Sequence, residues 1–255
     1  MLKYFPAVRS VLNPSLTTRI GNRLSRYLSR WTLRGNTVEC LCCGWCGSRF
    51  CVRPPGVCPK CGSWERHRFF AYLIGHVIDR QELRSKSLLE FAPWMNLEPL
   101  LQKTFKRRTT ADIAKGGVDL HLDICKLDIP DNSFDVVMAF HVLEHVDSDI
   151  CAMRELHRVL SPNGVAILCV PVTVEETQEV NDASPAHIKE VACYPEHVRA
   201  CGVDYPERLT KVGFDVQVFD PRAFPDHDRE RFGITPPQRL DGAIYYCRKR
   251  LIHRQ

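Results

Sequence analysis

The sequence predicts an α/β protein built on an open, mostly parallel sheet of seven strands with helices on both faces, preceded by a small cysteine-rich module. Two observations predict it. From Ser85 onward short apolar strands alternate with amphipathic helices, the pattern of a parallel sheet covered on both sides. Ahead of that alternation, seven of the 13 cysteines crowd between Cys40 and Cys61.

The chain has 255 residues, enough for one sizeable domain plus an appendage. Its 44% hydrophobic and 25% charged residues are ordinary for a globular protein. No stretch reaches the roughly 20 apolar residues of a membrane span, and no secretory signal is visible, so a cytoplasmic location is expected. The net charge of +5 is unevenly placed. Residues 1–80 carry 13 Lys/Arg against 3 Asp/Glu, and residues 81–255 carry 22 against 27. A basic front suits an anionic partner, nucleic acid or a membrane surface, or simply docks on the acidic remainder.

Residues 1–36 contain no acid at all. Arg19, Arg23, Arg26 and Arg30 recur on one helical face, and Ile20, Leu24, Tyr27, Leu28 and Trp31 on another. Three readings stay open for this basic amphipathic segment. It packs on the protein body, it lies on an anionic membrane (through residues 18–34) or binds RNA, or it is a transit peptide.

Residues 37–64 form the cysteine module. Cys43-Gly-Trp-Cys46-Gly-Ser and Cys58-Pro-Lys-Cys61-Gly-Ser repeat one hexapeptide type. Two residues between thiolates let both face one ion, and the following glycine permits the tight turn. Four thiolates close a tetrahedral zinc site, and so short a segment would take much of its folding free energy from the metal. The expected ligands of a structural Zn²⁺ are therefore Cys43, Cys46, Cys58 and Cys61. Cys40, Cys42 and Cys51 fall outside this set. Cys40 and Cys43 form a further C-x2-C pair, but the repeated Gly-Ser favours Cys43 with Cys46. The six scattered cysteines read as small core residues.

Residues 65–84 read as one connecting helix, and residues 85–255 as the main domain. Strands are expected near 87–91, 108–113, 119–123, 134–140, 164–171, 213–219 and 242–248. Helices are expected near 96–104, 148–160 and 204–212, with a turn at Ser161–Gly164. The irregular stretch 172–200 reads as an insertion over the carboxyl edge of the sheet.

The run from Asp119 to Pro171 holds Asp128-Ile-Pro-Asp-Asn-Ser-Phe-Asp135, Val136-Val-Met-Ala-Phe140, His141-Val-Leu-Glu-His145-Val, Arg158-Val-Leu and Ser161-Pro-Asn-Gly164. In that order and spacing it resembles class I S-adenosylmethionine-dependent methyltransferases of the type 11-like group, over roughly residues 85–250. The resemblance implies a Rossmann-like sheet, S-adenosylmethionine as cofactor, and a methyl acceptor. It places an acid at the end of the first strand at Glu90, with Ala92 where a glycine-rich turn is usual; no glycine occurs between Gly75 and Gly116. It places the ribose-binding acid at Asp112 and the adenine-contacting pair at Asp123 and Ile124. His141 falls beside the reacting methyl group, as a cofactor contact and candidate base. A metal site made from His141 and His145 alone is not expected.

The junction Cys61-Gly-Ser-Trp-Glu-Arg-His-Arg68, with the later His197-Val-Arg199, is similar to members of the group that carry an N-terminal zinc knuckle. Glu65, Arg66 and His67 would then cover the active site from one side. His197 and Arg199 would cover it from the other, Arg199 by bidentate bonds to an anionic substrate group. Three functions follow. The first is methyl transfer to a small molecule, lipid or saccharide. The second is methyl transfer to RNA or protein, gripped by the module. The third is non-catalytic binding by a fold that has lost its glycine turn.

Overall fold

The computed structural model describes residues 27–51, 56–114, 116–179, 196–235 and 242–250. Most of the basic N-terminal segment, including Arg19, Arg23 and Arg26, lies outside them. Residues 27–32 are helical. Arg30 there donates to the carbonyls of Pro59 (3.1 Å) and Lys60 (2.8 Å), while Tyr27, Leu28 and Trp31 stay exposed. Among the described residues no helix is long and apolar enough to cross a membrane.

The cysteine segment is a hairpin of β1 (Val38–Cys40) and β2 (Trp45–Gly47), followed by a loop. The connecting helix is two helices. α1 (Glu65–His76) ends where Val77 leaves helical geometry, and α2 (Arg80–Leu83) restarts after Asp79, whose carboxylate accepts from the Gln81 N–H. Then come β3 (Ser87–Phe91), α3 (Glu98–Thr104), β4 (Arg107–Asp112), β5 (Leu120–His121), β6 (Phe134–Phe140), α4 (Asp149–Val159) and β7 (Leu160–Cys169). β8 (Val172–Val174), β9 (Gln178–Glu179) and β10 (Arg199–Gly202) make a small sheet of their own, and residues 180–195 lie outside the description. α5 (Tyr205–Val212), β11 (Phe214–Phe219), α6 (Asp226–Phe232) and β12 (Ile244–Lys249) complete the chain.

The main sheet has the order β11-β12-β7-β6-β3-β4-β5. β12 runs antiparallel to both neighbours, and the pairs from β7 across to β5 are parallel. The expected turn at Ser161–Gly164 is absorbed into an irregular start of β7, where the pairing with β6 shifts between Phe134 and Val136 and Asn163 takes a φ of 62°.

Alternation along the strands splits the core in two. Leu88, Val136, Met138 and Phe140 face α1; Leu89, Phe91, Val137 and Ala139 face α4 and α5. α1 buries Phe69, Phe70, Leu73 and Ile74 almost wholly. At about 2 kcal/mol each these contribute on the order of 8 kcal/mol, an upper figure because the unfolded chain is partly collapsed. Cys40, Cys42, Trp45 and Cys58 belong to the same apolar cluster, so the cysteine hairpin is packed onto the α1 face of the sheet.

Candidate functional site

Two constellations stand out, and the first is the cysteine cluster. The Sγ atoms of Cys40, Cys43, Cys58 and Cys61 lie within 4.8 Å of one another. Cys40 and Cys61 are 3.6 Å apart, and Cys43 and Cys58 are 3.8 Å apart. A tetrahedral zinc with Zn–S of about 2.3 Å sets its sulfurs about 3.8 Å apart. The Ser63 hydroxyl, 3.1 Å from Cys40 Sγ, adds an outer contact.

This group differs from the expected set in one member: Cys40 stands in it where Cys46 was expected. Each knuckle turns on a glycine directly after its second cysteine. Gly44 N–H donates to the Cys40 carbonyl (2.8 Å) and Gly62 N–H to the Cys58 carbonyl (2.9 Å), with φ of 67° and 78°. Gly47, the glycine after Cys46, lies in β2 and does not take that conformation. Cys46 is a strand residue opposite Glu39, and its side chain is exposed on the face away from Trp45. Cys42 and Cys51 are buried.

The second constellation lies at the carboxyl edge of the main sheet. β3 and β6 are adjacent, and their connections run to opposite halves of the sheet, which opens a crevice between their ends. In register, Phe91 pairs with Ala111 and with Ala139, and Asp112 pairs with His121. His141, Ala92 and Asp112 thus follow one another along the rim, with Asp123 just past β5. Strands about 4.8 Å apart spread this row over about 15 Å, the span of a nucleoside with its substituent.

Just past each of the two central strands, a non-glycine residue adopts left-handed backbone. Ala92 has φ 48° and His141 has φ 56°. Ala92 N–H bonds the Ala111 carbonyl and His141 N–H the Cys169 carbonyl, both at 2.9 Å, so the neighbouring strands hold these conformations in place. Such strain in an alanine costs of order 1 kcal/mol and concentrates at functional sites. Ala92→Gly is expected to stabilise the fold by about 0.5–1 kcal/mol, a rise in Tm of roughly 2–3 °C by thermal unfolding. A fall in Tm would mean that the Ala92 methyl group packs more favourably than its backbone is strained.

The expected acids occupy different settings. Glu90 is wholly buried; its Oε1 accepts from the Trp94 N–H (3.2 Å) and its Oε2 from Arg108 Nε (2.6 Å). It therefore fixes the loop after β3. Asp112 is half-buried at the end of β4 and accepts from the Ala114 N–H (2.9 Å). Asp123 is exposed, accepts from the Cys125 N–H (2.8 Å), and is followed by buried Ile124.

The N-terminus of α1 covers the β3 loop. His67 packs on Trp94 with ring centroids 4.6 Å apart, and Arg66 lies over the Trp94 ring at 5.4 Å. His67 Nδ1 accepts from the Trp64 N–H (3.0 Å) and lies 3.1 Å from Asn96 Nδ2, which leaves the proton on Nε2. Burial holds this imidazole well below its ordinary pKa, hence neutral. His67 Nε2, Trp94 Nε1 and Asn96 Oδ1 are buried and have no partner among the described residues. Buried polar atoms are rarely left so, and a cluster of them marks a place for a polar ligand.

Glu144 went unremarked in the sequence. Its only signal there was an acid between two histidines in an apolar run. It is wholly buried in a short turn after β6, and its Oε1 lies 3.2 Å from His141 Nδ1 and 3.9 Å from His145 Nε2. Burial alone would raise its pKa; the contact and charge of His141, with that of His145, outweigh burial and hold it below the carboxylate range. His197 lies beside His145, ring centroids 4.7 Å apart, and burial lowers its pKa.

The structure assigns Arg199 another task than a substrate clamp. It is buried, and its Nη1 donates to the carbonyls of Leu143 and Val146 and its Nη2 to that of Asp147. Its Nε is 3.2 Å from Glu179 and 3.7 Å from Asp149. The guanidinium pins the turn that carries Glu144 and His145, and is turned inward.

The comparisons agree with this architecture. The profile of a methyltransferase domain matches residues 95–168. No curated protein matches the chain. Among solved structures, a Haemonchus contortus phosphoethanolamine N-methyltransferase 2, in complex with phosphomonomethylethanolamine and S-adenosylhomocysteine, superposes with TM-score 0.51 at 15% identity. The match covers 74% of this chain and 53% of that one. The (4+2)-cyclase SpnF gives TM-score 0.51 at 18% identity, covering 72% and 82%. A complex between the Haloferax volcanii Trm112 methyltransferase activator and a methyltransferase gives 0.50 at 14%, covering 75% and 92%. The fold is the Rossmann-like one of S-adenosylmethionine-dependent methyltransferases. That a cyclase shares it shows why activity must be argued from the site.

Proposed function

From that fold we propose that the chain transfers a methyl group from S-adenosylmethionine to a small-molecule, lipid or saccharide acceptor. The supporting observation is the crevice between β3 and β6: two residues in left-handed backbone at its lip, and buried polar atoms without partners on its α1 side. Ala92 adopts a backbone conformation that glycine favours, which suits a close approach to a cofactor at this turn. This favours the enzyme reading over the non-catalytic one.

The residues fit the cofactor. Asp112 suits the ribose hydroxyls, Ile124 a face of the adenine, and Asp123 its amino group. When bound, the cofactor supplies an electrophilic sulfonium methyl group. The chain aligns the acceptor with that methyl and excludes water. His141 is the residue placed to take a proton from a hydroxyl acceptor. Glu144 faces its Nδ1 at 3.2 Å and so holds the proton there, which makes Nε2, 3.9 Å from the Cys169 sulfur, the basic nitrogen. His197 stands on the acceptor side of the same turn. The four-cysteine cluster we read as a closed, structural Zn²⁺ site, with Cys40, Cys43, Cys58 and Cys61 as ligands.

Calorimetric titration with S-adenosylmethionine tests the reading. Binding is expected for the intact chain, and Asp112→Ala is expected to weaken it 10–100-fold, the worth of a charge-assisted hydrogen bond. No heat at millimolar cofactor would remove the enzyme reading. Acceptor binding that weakens steeply with salt would move the proposal toward RNA.

A further inference from the structure

Glu144, His145 and His197 form a second cluster of metal-ligating side chains, apart from the four cysteines. Their ligand atoms lie within 4.8 Å of one another. Two separate segments meet there, tied by the Val198 N–H donating to the Glu144 carbonyl at 3.0 Å. Glu144 is 0% exposed; its Oε1 faces His141 Nδ1 at 3.2 Å, and its Oε2 meets no hydrogen-bond donor among the described residues. A fully buried carboxylate that faces one imidazole and keeps its second oxygen without a donor still carries a desolvation penalty, and a cation held with the neighbouring imidazoles is a direct way to offset it. A carboxylate and two imidazoles converging on one point are a common three-ligand set for a metal that keeps open positions.

We propose that Glu144, His145 and His197 bind a divalent transition cation of the zinc, iron or manganese type beside His141. Imidazole nitrogens disfavour calcium and magnesium, and the absence of thiolates separates this site chemically from the cysteine cluster. Taken with the methyl-transfer reading, on which this step rests, the open positions receive an acceptor oxygen. The cation lowers the pKa of that hydroxyl, and His141 takes its proton. The acceptor class is then an alcohol, phenol or sugar hydroxyl.

The test uses the full chain with zinc in its cysteine cluster, dialysed against a chelator too weak to strip thiolate-bound metal, then titrated with Co²⁺ and followed by absorption. One equivalent is expected to bind with the weak visible bands of nitrogen and oxygen ligation and no thiolate charge transfer. Glu144→Gln and His197→Gln are each expected to weaken binding at least tenfold. If Glu144→Gln loses its native circular dichroism, His145→Gln serves, because that side chain is 30% exposed. No saturable cobalt band, or equal affinity in the variants, overturns the site. Cobalt binding without heat from S-adenosylmethionine keeps the cation site and removes methyl transfer. Heat without cobalt binding does the reverse.

Discussion

Replacing Cys40 by serine is expected to release the proposed zinc and unfold the cysteine hairpin, while Cys46→Ser leaves metal content unchanged. The contrast follows from the two knuckles. Cys40 Sγ sits 3.6 Å from Cys61 Sγ, and Cys46 is exposed on the outer face of β2. Zinc bound to four thiolates is worth on the order of 10–16 kcal/mol of apparent binding free energy, which in so small a segment is also its folding free energy. The damage should spread, because Cys40, Cys42, Trp45 and Cys58 share a core with Phe69, Phe70 and Leu73 of α1. Metal analysis of the two purified variants, with a thermal melt of each, checks this. Zinc lost from Cys46→Ser and retained in Cys40→Ser would restore the ligand set expected from the sequence.

What the sequence made legible was whatever rests on periodicity. The expected strands 87–91 and 134–140 coincide with β3 and β6, because each is a short, mostly apolar run. The places of Asp112, at the end of β4, and Asp123, just past β5, were legible because each acid closes an expected strand. The choice between Cys40 and Cys46 was not, because it depends on which glycine takes positive φ, and both follow a cysteine. α6 was missed although Pro225, the acids Asp226 and Asp228 and the closing Gly233 mark both its ends. Its brevity and lack of buried residues left no periodic signal. Glu144 was passed over and the inward bonds of Arg199 were not foreseen for one reason: a charged residue reads as exposed or functional until its surroundings are known.

Arg199→Ala is expected to destabilise the protein by about 3–5 kcal/mol, the cost of removing one partner from a buried ionic network. The mutation strips donors from the carbonyls of Leu143, Val146 and Asp147 and, among the described residues, leaves Arg208 as the remaining cation for Glu179 and Asp149, with the Tyr205 hydroxyl still donating to Asp149. In a chain of this size that is a fall in Tm of roughly 10 °C. Arg199→Lys keeps the charge but loses the planar fork, so it cannot serve three carbonyls and two carboxylates together, and an intermediate loss is expected. A substrate clamp behaves differently: its removal raises KM and leaves the melt nearly unchanged. Melting the two variants beside the parent therefore separates the roles, and an unshifted Tm would return Arg199 to the substrate side. The location of the bond network makes the result bear on the chemistry as well. The pinned carbonyls bracket Glu144 and His145, so the stiffness that Arg199 gives to this turn keeps the buried carboxylate 3.2 Å from His141 Nδ1.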